Sequence, residues 1–282
     1  MENFPFSQSE KKPQELTMSK HFDFEFASGS VIGRDHRIPG KNRQDSCCVR
    51  SEADISVAIC TDGCGSSPNS EVGAQLWAKM TADAVLKAFN ASDDPDWSQI
   101  QADLLTKMDT LISLIGGSRT KAVNDFLLFT IVGAVITPAW SVFFSFGDGF
   151  MVVNGTQIRL GPFPDNTPPY LAYCLAQTSL NPNLLRFQIH RRISTSELEH
   201  FLIGTDGVED LARAEGKTFP GKLNLVGPIS SLWTDDRFFN NADMVRRHLV
   251  LVNGGSKPAL MGYLIDDTTL ISGRRRKEVN NA

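Results

Sequence analysis

The sequence has no excess of basic residues and few cysteines. Its 28 lysines and arginines stand against 32 aspartates and glutamates, which gives a formal net charge of −4. Proteins that bind nucleic acids in general are normally basic, so we expect no nucleic-acid partner. The five cysteines are an odd number, and the adjacent Cys47 and Cys48 cannot easily join distant loops. We therefore expect reduced thiols and a cytoplasmic protein.

Long apolar runs are also scarce. Residues 126–147 carry no charge and are long enough to cross a bilayer, but Pro138 divides them and β-branched and aromatic residues dominate. These features favour two buried strands, 129–136 and 141–146, over a membrane span. The first 20 residues lack the apolar core of a signal peptide. They are polar, and because of this low apolar content we expect them to be disordered.

The remaining patterns predict an ordered series of strands and helices. Strands are expected from Phe22 to Phe26 and at 46–50, 55–61, 129–136, 141–146, 150–154, 185–190, 201–205, 264–267 and 269–272. Helices are expected at 71–89, 97–115, 209–214 and 242–252, with 28–45 as a polar loop and 216–239 unassigned. This order predicts an α+β layered fold rather than alternating βαβ units. We expect one domain over 21–273 and a solvated basic tail over 274–282.

The apolar spacing of the first two helices predicts the faces that they bury. In the helix at 71–89 the predicted buried face consists of Val72, Leu76, Met80, Ala84 and Leu86. In the helix at 97–115 it consists of Ile100, Leu104, Met108, Leu111, Ile112 and Ile115. Both patterns are typical of an amphipathic helix that packs on a core.

Four carboxylates stand at the ends of apolar runs. Asp62, Asp206 and Asp266 each follow such a run, and Asp45 precedes one. A strand that ends on Asp-Gly places its carboxylate at the rim of a sheet, where glycine lets the backbone, including the Gly63 carbonyl, approach a ligand. Four such carboxylates, far apart in sequence, suit an all-oxygen site for hard divalent cations. The alternative for each is an ordinary solvated turn residue.

Other chemistries find less support in the sequence. Ser66 and Ser67 follow a glycine, but the Gly-x-Ser-x-Gly pattern of a serine hydrolase is missing. A zinc site at Cys60 and Cys64 would need a second pair of ligands at a suitable spacing.

Five short motifs, in order, resemble the protein phosphatase 2C family of metal-dependent serine/threonine phosphatases, in particular its bacterial branch. They are Asn-Arg-Gln-Asp at 42–45, Thr-Asp-Gly-Cys-Gly at 61–65, Phe-Gly-Asp at 146–148, Thr-Asp-Gly-Val-Glu-Asp at 205–210 and Asp-Asp-Thr-Thr at 266–269. Each motif is weak alone, but five in order over about 22–273 are specific together. The resemblance implies a four-layer αββα sandwich, with two antiparallel sheets flanked by helix pairs.

The resemblance also implies two Mn²⁺ or Mg²⁺ ions with a water that bridges them. Asp62 would bridge both ions, and the Gly63 carbonyl would bind one of them. Asp206 and Asp266 would hold the other ion, and Asp45 would contact metal-bound water.

Some members of the family bind a third ion. The matching acids here are Asp148, Asp206 and Asp210. For Asp148 and Asp210 a solvated turn residue is an equal alternative.

The sequence departs from the family pattern at two positions near the family's phosphate-binding site. Gln44 stands where a glutamate is usual, and Gly40 stands where the family commonly has its phosphate-binding arginine. His36, Lys41 and Arg43 are the candidates to replace that arginine, and we expect His36 or Lys41 to do so.

These features predict a phosphatase that hydrolyses phosphoserine or phosphothreonine in phosphoproteins, by attack of the water between two ions. Its partners would be a phosphoprotein substrate and a cognate serine/threonine kinase, and the protein would be a monomer without a membrane span. The alternative is a catalytically weak or inactive sensor or scaffold on the same fold, because Gln44 and Gly40 replace the charged glutamate and arginine that are usual in the family.

Overall fold

The computed structural model describes residues 24–161, 163–164, 167–176, 180–254 and 261–276. Two antiparallel five-stranded sheets stack face to face, and helices cover the outer face of each sheet. This four-layer αββα sandwich confirms the predicted α+β class. The predictions for residues 1–20, Phe22 and 277–282 fall outside the described residues.

The strands and helices of the described residues are as follows in chain order. The strands are β1 (Phe24–Val31), β2 (Ser46–Glu52), β3 (Ile55–Gly63), β4 (Phe129–Ile136), β5 (Trp140–Phe146), β6 (Phe150–Val153), β7 (Thr156–Arg159), β8 (Gln188–Ser194), β9 (His200–Gly204) and β10 (Thr268–Arg275). The helices are α1 (Arg34–Arg37), α2 (Ser70–Ala91), α3 (Trp97–Ile115), α4 (Arg119–Phe126), α5 (Val208–Arg213), α6 (Ser231–Thr234), α7 (Arg237–Asn240) and α8 (Met244–Val252).

One sheet has the order β1-β10-β9-β6-β7 and the other the order β2-β3-β4-β5-β8. Side chains alternate between the two faces of each strand, as β3 illustrates. Val57 and Ile59 pack in the cluster beneath α2 and α3, whereas Ala58 and Cys60 pack between the sheets. Both faces of β3 are therefore buried, which explains why its sequence is a continuous apolar run.

The bounds of α3 agree with the sequence prediction because its end signals are local. The side chain of Asp96 accepts a hydrogen bond from the Ser98 amide at 2.8 Å, which caps the first turn. The helix ends at Gly116, whose φ of 75° is accessible to glycine at little cost. The strand predicted at 129–136 is also confirmed, as β4.

The predicted buried face of α2 is wrong in its first two turns. Val72 and Leu76 are 51% and 38% exposed. The helix instead buries a face of small residues around Trp77, which stacks on Phe129 with ring centroids 6.3 Å apart. Small side chains let α2 lie close to the sheet, so Val72 and Leu76 lie on the solvent side, whereas the predicted Ala84 and Leu86 are buried.

Other predicted elements also need correction. Residues 264–267 form a turn rather than a strand, and the polar loop 28–45 contains the end of β1 and helix α1. Strand β8 begins three residues later than predicted, and no local pattern in the sequence predicts β7 or α4. No helix in the described part of the chain is long and apolar enough to span a membrane.

The basic stretch at the C-terminal end is not wholly a solvated tail. Arg274 lies within β10 and is only 7% exposed. Its guanidinium pairs with Glu25 at 2.6 Å and with Asp236 at 2.8 Å. Burial of this charge is possible because both partners neutralise it.

Candidate metal centre

The predicted acids converge at one end of the two sheets. Asp62 is the penultimate residue of β3, and Asp45 immediately precedes β2, whose first residue pairs with the end of β3. Asp206 follows β9 by two residues, while Asp148 and Asp266 precede β6 and β10 by two. Because β9 is antiparallel to both β6 and β10, these three strand ends meet.

A hydrogen bond connects the two sheets at this end. The hydroxyl of Thr205 donates to Oδ2 of Asp45 at 2.7 Å. Asp45 itself is fully buried. The acid that begins β2 is therefore held against the acid-bearing turn that follows β9.

The acids line a cleft with two lobes. The Asp62 lobe, of about 240 Å³, is lined by Asp62, Gly63, Cys64, Gly65, Ser66, Thr130, Asp148, Pro168, Tyr170, Asp206 and Asp266. The Arg159 lobe, of about 380 Å³, shares Asp148, Asp206 and Asp266 and adds, among others, Arg159, Glu209, Asp210 and Arg213. The three shared acids form the wall between the lobes.

Two glycines allow the close approach that brings the acids together. A Cβ on Gly63 would lie 2.8 Å from both the Gln44 carbonyl and the Ser70 hydroxyl. A Cβ on Gly207 would lie 2.0 Å from the carbonyl oxygen of Asp267. Only glycine fits at these contacts, so the turn after Asp206 packs directly on the turn that carries Asp266.

Burial and mutual repulsion disfavour the charged forms of these acids. Burial, followed by the neighbouring charges of Asp266 and Asp148, raises the pKa of Asp206 to about 6. Burial, followed by the charge of Glu209, raises the pKa of Asp148 to about 6. The pKa values of Asp62 and Asp45 are raised well above the ordinary range, again chiefly by burial. A bound cation would reverse this penalty.

Two buried carboxylate oxygens fit such a cation or its bound water. Oδ1 of Asp45 and Oδ1 of Asp206 have no hydrogen-bond partner among the described residues. Asp266 is more open, with 55% of its side chain exposed. An all-oxygen set of this kind suits Mg²⁺ or Mn²⁺ rather than a soft metal.

The sequence analysis missed the role of Asp267. This residue is buried, and its carboxylate accepts hydrogen bonds from the backbone amides of Gly33 and Gln44, both at 2.6 Å. It therefore fastens the loop before β2 to the turn before β10. Asp266 and Asp267 both lie in the Asp-Asp-Thr-Thr motif, but the backbone contacts of Asp267 are not visible in sequence.

His36 lies against this pair of acids. Its Nδ1 is 3.1 Å from Oδ2 of Asp267 and 3.8 Å from Oδ1 of Asp266. The ligand atoms of the three side chains lie within 4.8 Å of one another, close enough to share one cation. The imidazole is buried and faces protein carboxylates, so a role in phosphate binding stays a prediction.

The other two candidates for phosphate binding are engaged in loop contacts. Nζ of Lys41 donates to the Gly65 carbonyl at 2.9 Å, and Nε of Arg43 donates to the Asp45 carbonyl at 3.1 Å. Neither side chain is among the described residues that line the two lobes. Their predicted contact with phosphate is also untested.

Asp210 differs from Asp148 in its contacts. Its Oδ2 accepts from the Ile265 amide at 2.8 Å, and its Oδ1 accepts from Arg213 at 2.9 Å. Both oxygens are thus bonded within the protein, which favours a structural role. Asp148 keeps its carboxylate on the wall between the lobes and stays the better candidate for a third ion.

Fold and site together define an α+β sandwich protein with an acidic cleft at one end of its sheets. A profile of the family described as protein phosphatase 2C matches residues 32–243, and the chain belongs to this family. The matched range contains Asp45, Asp62, Asp148 and Asp206. Asp266 lies beyond it and is assigned to the site by the structure.

Solved structures of bacterial phosphatases share the fold. The serine/threonine phosphatase of S. agalactiae is 16% identical, with a TM-score of 0.52 over 90% of this chain and 100% of that one. Stp1 from Staphylococcus aureus is 12% identical, with a TM-score of 0.50 over 95% of this chain and 100% of that one. The catalytic domain of PstP, solved with two manganese ions, is 11% identical, with a TM-score of 0.45 over 90% and 99%.

No curated protein matches the chain. At these levels of identity the phosphatases of S. agalactiae and Staphylococcus aureus establish the fold alone.

Proposed function

We propose that the protein is a metal-dependent phosphoprotein phosphatase that hydrolyses phosphoserine and phosphothreonine monoesters. Membership of the protein phosphatase 2C family supports a phosphatase. The observation that carries the proposal is the pair of buried, unbonded oxygens on Asp45 and Asp206, in a cleft where burial raises the pKa of the acids. Such a cluster is costly without a cation and suits one well.

The donor set indicates which residues would hold two ions. Asp62 stands at the end of one sheet and Asp206 and Asp266 at the end of the other, with the Gly63 carbonyl beside them in the Asp62 lobe. Asp45, behind these residues, would accept hydrogen bonds from metal-bound water. When bound, Mn²⁺ or Mg²⁺ would lower the pKa of a water molecule and neutralise charge on the phosphoryl group.

The chain's own residues orient and enclose this chemistry. The bond from Thr205 keeps Asp45 in place, and Asp267 holds the loop that lies behind it. Among the described residues that line the two lobes there is no histidine to activate a serine. A direct attack by water, without a covalent enzyme intermediate, is therefore the mechanism that we propose.

The substrate would be a phosphoprotein, a proposal that membership of the protein phosphatase 2C family supports. The cognate kinase, the monomeric state and the cytoplasmic location stay predictions from the sequence. The cysteines of the described residues are free thiols, which is compatible with that location.

The direct test is the hydrolysis of p-nitrophenyl phosphate and of a phosphoserine peptide. We expect turnover of both with added Mn²⁺ and its loss in excess EDTA. A protein that binds Mn²⁺ by calorimetry but hydrolyses neither substrate would instead be an inactive sensor or scaffold. Full turnover in EDTA would contradict the metal-dependent mechanism.

A further inference from the structure

The two lobes contain few cations to receive an anionic substrate. Among the described residues that line them, only Arg159 and Arg213 are basic, against six acids. Those acids are Asp62, Asp148, Asp206, Glu209, Asp210 and Asp266. A phosphate dianion entering this cleft needs donors on oxygens that the metal ions do not bind.

Arg213 is already engaged. Its guanidinium pairs with Glu209 at 2.5 Å and with Asp210 at 2.9 Å. Both acids belong to α5, so these are local contacts within one helix. If Arg213 turned toward a substrate, the two carboxylates would lose the charge that neutralises their mutual repulsion. Arg213 is therefore a poor donor to a substrate.

Arg159 is not engaged. Its side chain is exposed, and no hydrogen bond or ion pair joins its guanidinium to another described residue. It is the last residue of β7, and the sheet register aligns it with Phe150 and, through β6, with Gly204. Asp148 lies two residues before Phe150, and Asp206 lies two residues after Gly204. The arginine thus stands at the sheet end where the acids emerge.

We propose that Arg159 binds the phosphoryl group of the substrate. This inference rests on the proposed function and adds the residue that recognises the anion. A guanidinium offers two parallel N–H donors to phosphate oxygens, and this one need not break an internal bond to do so. It faces the Arg159 lobe, whose wall is made of the same acids that would hold the metal ions.

The test compares the wild type with Arg159→Ala, Arg159→Lys and Arg191→Ala. Arg191 is a matched control because it is also an exposed arginine on a strand, β8, and is not among the residues that line the lobes. Binding is measured by fluorescence anisotropy, in Mn²⁺, with a peptide that carries a non-hydrolysable phosphonate. Turnover is measured with p-nitrophenyl phosphate, whose only anionic group is the phosphoryl group.

We expect Arg159→Ala to weaken peptide binding and to lower kcat/KM for p-nitrophenyl phosphate, each by about ten- to a hundredfold. Arg159→Lys should fall between the alanine variant and the wild type, since it keeps the charge but not the paired donors. Arg191→Ala should match the wild type.

Two results would overturn the assignment of Arg159. One is an alanine variant that keeps both values within twofold of the wild type. The other is a loss confined to the peptide, which would place the arginine on another part of the substrate. If the wild type lacks phosphatase activity, the proposed function fails, and the binding measurement still decides the role of Arg159.

Discussion

At the scale of single residues, Asp206 combines burial, repulsion and an unbonded oxygen. Its carboxyl lies near Asp266 and Asp148, and its Oδ1 has no hydrogen-bond partner among the described residues. These are the features of a metal ligand that is unfavourable in the metal-free protein. Function and stability should therefore respond in opposite directions when its charge is removed.

We expect Asp206→Asn to lower phosphatase activity by more than the roughly 10- to 100-fold that loss of an outer-shell partner causes. In EDTA the same variant should be more stable than the wild type, by on the order of 1–3 kcal/mol, because a buried repulsive charge is removed. Thermal unfolding of the variant and the wild type, with Mn²⁺ and in EDTA, measures this difference in stability.

Asp54→Asn is the control, because Asp54 is exposed at the turn between β2 and β3, away from the cleft. It should change neither activity nor unfolding temperature. Near-normal turnover of Asp206→Asn would remove this residue from the metal centre.

At the scale of elements, α2 shows where sequence periodicity and packing diverge. The helix exists where the pattern predicts it, but its large apolar residues Val72 and Leu76 face solvent. Trp77, which the predicted face left out, is 1% exposed and stacks on Phe129. Denaturation of the metal-free protein can distinguish the two faces.

We expect Trp77→Ala to lower the free energy of unfolding by about 3–5 kcal/mol, because it removes a large buried side chain. Leu76→Ala should cost less than about 1 kcal/mol, as a substitution at a largely exposed site. Urea denaturation in EDTA measures both. Equal losses would mean that the helix buries the face predicted from the sequence.

Elements were predictable where their signals are local. β4 and α3 are predictable because an apolar run defines the strand, and a capping aspartate and a terminal glycine define the ends of the helix, all within a few residues. The acids at strand ends were predictable for the same reason. Asp267 and Arg159 were not, since their positions depend on pairing between strands far apart in sequence, and β7 has no apolar pattern of its own.

At the scale of the whole molecule, metal binding should be coupled to proton release. Burial and neighbouring acids raise the pKa of Asp148 and Asp206 from 3.8 to about 6. Below that pH both carboxyls hold protons in the folded, metal-free protein, and a cation must displace them. Above it they are ionised and no displacement is needed.

We therefore expect Mn²⁺ affinity to rise as the pH increases from 5.5 to 7.5 and to level off above that range. Below the raised pKa, each displaced proton changes the Mn²⁺ affinity by up to about tenfold per pH unit. Isothermal titration calorimetry at several pH values, in buffers of different ionisation enthalpy, measures affinity and proton release together.

The titration of His248 does not affect this comparison. Its ring packs between Phe219 and Phe238, and burial lowers its pKa to about 4, so the ring stays neutral from pH 5.5 to 7.5. An affinity that is the same at pH 5.5 and 7.5 would show that the raised acids are not ligands.

The acids of the cleft lie at the ends of two different sheets, so the packing between the sheets affects their spacing. Asp62 belongs to one sheet, whereas Asp206 and Asp266 belong to the other, so the separation of the sheets sets the distance between ligands. That separation is set by the side chains between the layers, which include the small Ala58, Cys60 and Ala134. Enlarging one of these three would alter the spacing of the acids from within the core, so interior volume would tune the metal selectivity of the proposed site without any substitution among the acids.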